Sequence, residues 1–92
     1  MESQNNPSKE EIQKKLLELI ASDLNIHEHT VHFDKDIHDY GIYSLSSLFI
    51  ISEMEVFLKR DLPALLLSDY TTINEISSFI VEYINAGKEG EY

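Results

Sequence analysis

Three groups of side chains have types and spacing that invite chemistry. The first is Ser44, which the turn Asp39-Tyr40-Gly41-Ile42-Tyr43 delivers to the start of a very apolar stretch. A hydroxyl at a helix N-terminus sits among backbone N–H groups that have no intrahelical acceptor, at the positive end of the helix dipole. An anion attached to it is stabilised there. The competing reading is a cap, with Ser44 accepting the N–H of Ser47, and local chemistry alone favours it. The second group is His27, His29, His32 and His38. Imidazole is a good ligand for zinc, copper or nickel, but no two of these residues have the His-x-x-x-His separation, and a solvated histidine-rich loop is the stronger reading. The third is Asp34, Asp36 and His38, which alternate like the opening of a calcium loop. That reading fails, because the sixth position is Asp39 rather than glycine and the twelfth is Leu45 rather than glutamate. With no cysteine in the chain there is no disulfide, thiolate metal site or cysteine nucleophile, and nothing in the sequence argues for a Ser-His-Asp triad.

These residues need a scaffold, and 92 residues make one domain with one core. Seventeen acidic side chains against seven basic ones give a net charge of −10. This field repels phosphate backbones and anionic membranes, arguing against nucleic-acid or membrane partners, and it speeds encounter with basic patches on proteins. The N-terminus lacks the basic segment and apolar run of a signal peptide, and no apolar run is long enough to span a bilayer. The expectation is a soluble cytoplasmic domain.

Residues 1–7 read as a flexible leader. Ser8 and Glu11 have the spacing of a capping box and open a first helix, whose stripe is Ile12, Leu16, Ile20 and Leu24, joined by Leu17 and Leu19. Asn25 to Tyr40 shows no sustained period and reads as a long ordered loop anchored by Ile26, Val31, Phe33 and Ile37. A second helix runs from about Ser44 to Lys59, with Leu45, Leu48, Ile51 and Leu58 as its expected core stripe. Phe49, Ile50, Met54, Val56 and Phe57 make it apolar almost all round, so it is either central to a bundle or leaves a face for a partner. Pro63 is expected to end this element. Ala64 to Ser68 allows one or two helical turns. Thr72 and Glu75 repeat the capping-box spacing and open a last helix with Ile73, Ile76, Phe79, Ile80, Tyr83 and Ile84 inward and Gly87 as its stop. Residues 8–87 thus form a single all-α domain, a small four-helix bundle of three main helices and one short one, and 88–92 a frayed tail.

Asp39, Gly41, Ser44 and Leu45 together resemble the Asp-x-Gly-x-Asp-Ser-Leu motif that leads into the second helix of the acyl carrier protein family, most closely the carrier domains of polyketide synthases. Leu48, Ile51 and Leu58 are similar to that family's apolar helix-two positions, and Glu55 to an acidic one. Leu62-Pro63 and Leu67-Ser68-Asp69-Tyr70-Thr71-Thr72-Ile73 resemble its Leu-Pro and Leu-Phe-Asp-Tyr-Pro-Thr-Ile segments. The resemblance spans more than half of the chain and reverses the local preference for a mere cap at Ser44.

It implies that Ser44 carries a covalent 4′-phosphopantetheine arm, installed from coenzyme A by a magnesium-dependent phosphopantetheinyl transferase, with Asp39, Gly41 and Leu45 around the attachment point. Acyl intermediates would ride as thioesters on the arm's thiol. The domain itself would be non-catalytic, presenting cargo to an acyltransferase, a ketosynthase or other synthase enzymes docking on Tyr43, Leu48, Phe49 and Glu55. Three departures stand out: Tyr43 replaces the aspartate before the serine, Phe49 stands where many members have an exposed glutamate, and Thr71 replaces proline. Tyr43 and Phe49 favour the alternative of a degenerate, unmodified carrier fold acting as a docking module.

Overall fold

Ser8 begins the first helix in the way its spacing predicts. In the computed structural model, which describes residues 6–86, Glu11 N–H donates to Ser8 Oγ at 3.1 Å and Ser8 N–H donates to Glu11 Oε1 at 2.8 Å. Helix α1 spans Lys9–Leu24, and Glu10 and Glu11 in its first turn suit the dipole. Asn25 ends it in the left-handed conformation (φ 58°), which asparagine tolerates better than most residues. Helix α2 spans Ser44–Leu58, α3 is the single turn Leu66–Asp69, and α4 spans Ile73–Asn85. The expected all-α bundle of three main helices and one short one is the observed architecture. Gly87 and the tail lie outside the described residues, as does the leader apart from Asn6 and Pro7.

α1 packs against both α2 and α4. Its expected stripe is correct at Ile12, Leu16 and Ile20, which are fully buried, while Leu24 is only partly covered. Ile73, Ile76, Ile80 and Ile84 of α4 meet this stripe in one core, and Phe79 and Tyr83 lie at its edge. Burying each such side chain stabilises the fold by about 1.5–3 kcal/mol. Ser77, also buried, satisfies its hydroxyl by donating to the Asn74 carbonyl at 3.1 Å.

In α2 the expected stripe needs correction. Leu45 and Leu48 are exposed, and the buried residues are Ile50, Ile51, Met54 and Leu58. A helix with apolar residues on every side offers several stripes of equal hydrophobicity, and packing against α1 selects one of them. The helix also ends before Pro63. Lys59 adopts a left-handed conformation (φ 60°), its N–H bonded to the Glu55 carbonyl at 2.7 Å, and Glu55 Oε2 accepts the Leu62 N–H at 2.8 Å.

The long loop is ordered by two short 3-10 turns, Glu28–Thr30 and Ile37–Tyr40. Val31 and Ile37 are buried as expected and Phe33 is partly buried, but Ile26 is exposed. Two backbone bonds tie the loop to the start of α4: Ile37 N–H to the Thr71 carbonyl at 2.7 Å, and Asn74 N–H to the Phe33 carbonyl at 2.9 Å. The loop is thereby braced against the start of α4, upstream of the entry into α2.

Candidate functional site

The segment before α2 aims Ser44. Asp36 Oδ1 accepts the His38 N–H at 2.8 Å and starts the second 3-10 turn, and the same oxygen lies 3.0 Å from His38 Nδ1. Gly41 then turns the chain with φ 99°, its N–H bonded to the His38 carbonyl at 3.0 Å. A Cβ there would meet no atom within 4 Å, so the backbone angle and not crowding requires glycine. Ile42 is fully buried and pins the chain two residues before Ser44.

Tyr43, and not Ser44, is the N-cap residue. Its carbonyl accepts the Ser47 N–H at 2.7 Å, and its side chain makes no capping bond. The cap reading of Ser44 is therefore corrected: Ser44 is the first helical residue, exposed, and its hydroxyl has no hydrogen-bond partner among the described residues. The N–H groups of Ser44, Leu45 and Ser46 precede the first intrahelical bond and point out of the helix end. No acidic residue occupies the first turn of α2, so nothing on the helix offsets its positive end. A free hydroxyl among unpaired N–H donors suits the attachment of an anionic phosphodiester group.

Beside Ser44 lies a cleft of about 290 Å³ between α2 and α3, walled by His38, Tyr43, Ser47 and Leu48 on one side and by Leu65 and Ser68 on the other. The His38 ring packs against Tyr43 with centroids 5.6 Å apart. The tyrosine that replaces an acid in the motif is thus held at the mouth of the cleft with 62% of its surface exposed.

Of the other residues singled out in the sequence, Asp39 and Gly41 are exposed on the turn, and Leu45, Leu48 and Phe49 are exposed on α2 at 83%, 54% and 43%. Glu55 stands farther along α2, seven residues after Leu48, its carboxylate engaged by Leu62 N–H. Sequence reasoning did not single out Leu65, for which a short apolar run gave no signal, and it named Val56 only among the residues that widen the apolar stripe of α2; both are exposed. Val56 stands eleven residues after Leu45 and seven after Phe49, so its helical spacing marked the shared face.

The family whose description is phosphopantetheine attachment site matches residues 14–80, which include the turn, Ser44 and the cleft. The chain belongs to this family. It is a carrier domain, and the family's cofactor is covalently attached 4′-phosphopantetheine. No curated protein matches the chain closely enough to count as a relative. Among solved structures, the carrier domain is similar to a free-standing peptidyl carrier protein from an uncharacterized secondary metabolic pathway of Acinetobacter baumannii. The two are 26% identical with a TM-score of 0.79, over 84% of this chain and 96% of that one. It shares its fold with the HMG-ACPI domain of the CurA module from Lyngbya majuscula, at 23% identity and a TM-score of 0.78, over 95% of this chain and 88% of that one. No helix among the described residues of the carrier domain is long and apolar enough to cross a membrane.

Proposed function

We propose that Ser44 takes the 4′-phosphopantetheine arm and that the domain presents acyl intermediates, held as thioesters, to synthase enzymes of polyketide or related type. The observation that carries this reading is the Ser44 hydroxyl, exposed at the first position of α2 and free of any partner among the described residues. In the modification, Ser44 Oγ forms a bond to the β-phosphorus of coenzyme A while the pyrophosphate P–O bond breaks. Adenosine 3′,5′-bisphosphate leaves, and the serine proton passes to a base on the transferase. The N–H groups of Ser44, Leu45 and Ser46 stabilise the phosphodiester by about 0.3–1 kcal/mol. Gly41 permits the turn, at φ 99°, that leads to Ser44, and Tyr43 and Leu48 border the cleft beside the attachment point. Once attached, the arm supplies the thiol that this cysteine-free chain lacks. The chain supplies no catalytic group; it is the substrate of a phosphopantetheinyl transferase.

Incubation with coenzyme A and a broad-specificity transferase should add one phosphopantetheine mass increment to the wild type and none to Ser44→Ala, read by intact mass. No increment on the wild type with several transferases would sink the reading.

The exposed Tyr43 and Phe49 favour a second reading, an unmodified docking module. It predicts that Ser44→Ala leaves partner binding intact while Phe49→Glu abolishes it, measured by calorimetry with the same synthase enzyme. Loss in both variants returns the choice to the carrier reading.

A further inference from the structure

On the side of α4 where Tyr70 and Phe79 meet, the molecule has a groove of about 510 Å³, larger than the cleft at Ser44 and lined by none of the same residues. Its apolar wall comes from Tyr70 and Phe79, whose rings stack with centroids 5.0 Å apart and planes 29° from parallel. Tyr83 continues the stack at 5.4 Å and 24°. Tyr70 stands at the outer end of this ladder and is 36% exposed. Asp69, Glu75 and Glu82 line the same groove, and no lysine or arginine among the described residues does. Glu82 is exposed, and Glu75 uses Oε1 to accept the Thr71 N–H at 3.1 Å, leaving its other oxygen available.

We propose that this groove is a docking site for an arginine-bearing segment of a partner protein. A stack of rings adds one more planar group at its end at little cost in order, and a guanidinium is planar, cationic and weakly hydrated. Three carboxylates around the rings supply the complementary charge. Lysine has the charge without the plane, and a neutral apolar segment leaves the carboxylates facing it without partners. The chain's overall charge of −10 draws cationic partners from a distance, and the ladder gives them one place to settle. The site does not involve Ser44, so it stands whether or not that serine is modified.

The test uses the full chain, isotopically labelled, titrated with a blocked Leu-Arg-Leu-Arg tetrapeptide and with its citrulline counterpart, which keeps the plane and loses the charge. The arginine peptide should shift the signals of Tyr70, Phe79 and Glu82 first. The citrulline peptide should bind about fivefold or more weakly, roughly the loss of one partly desolvated cation–π contact. Tyr70→Ala and the exposed charge reversal Glu82→Lys should each weaken the arginine peptide by about three- to tenfold without altering the far-ultraviolet spectrum. Equal binding of the two peptides would overturn the proposal. So would shifts centred on α2, binding indifferent to both variants, or no saturable shift at all.

Discussion

In α4, Ile73, Ile76, Ile80 and Ile84 are all buried and Glu75, Glu82 and Asn85 face solvent. In α2, Ile50, Ile51, Met54 and Leu58 are buried, yet Leu45, Leu48, Phe49 and Val56 are exposed on the opposite side. The isoleucines of α4 serve the core. α2 carries about twice the apolar complement that the core can take, and the remainder forms a strip running from Ser44 along the helix. Exposed apolar side chains placed beside the hydroxyl proposed to take the arm form a surface of the kind that protein partners use. The strip is apolar rather than acidic, so docking here should depend on shape and apolar contact more than on charge.

The contrast makes measurable claims. Ile76→Ala in α4 removes a fully buried side chain and should cost about 2–5 kcal/mol in urea unfolding. A cost below about 1 kcal/mol would mean that the α4 stripe is not the core. Thr72→Ala removes the acceptor of the Glu75 N–H at 3.1 Å and should cost about 0.5–2 kcal/mol by the same measurement. That would show α4 depending on its cap as well as its packing. The smallest effect belongs to α2. Leu45→Ala deletes as large an apolar side chain, but at 83% exposure its change should stay within about 0.5 kcal/mol. If Leu45→Ala destabilised as much as Ile76→Ala, the division between a core helix and a presenting helix would collapse.

Much of the fold was legible because its signals are local. Ser8 with Glu11, and Thr72 with Glu75, mark helix starts through bonds spanning three residues, and these bonds are present in the structure. The stripes of α1 and α4 were legible because polar residues occupy their other faces. The expectation failed at Leu45 and Leu48 because no polar residues there identified an outer side. It failed at Ile26 because an isolated apolar residue in a loop has no period to orient it. Ser44 was legible as a candidate site, but the cap reading was wrong, since choosing which residue begins a helix depends on the Tyr43 backbone. His38 against Tyr43, and Leu65 across the cleft, come from turns whose placement is decided by distant partners, including Thr71 and Phe33.

By itself, then, the sequence determined the helix count, the N-caps of α1 and α4, the glycine turn and the serine that the turn delivers, because each depends on neighbours within a few residues. The tertiary structure decided which face of α2 is buried, that Ser44 stands first in its helix with a free hydroxyl, and that Tyr70, Phe79 and Tyr83 form one ladder. Those outcomes depend on how α1, α3, α4 and the long loop share one small core. A helix that is apolar all round has no preferred face until its neighbours are in place.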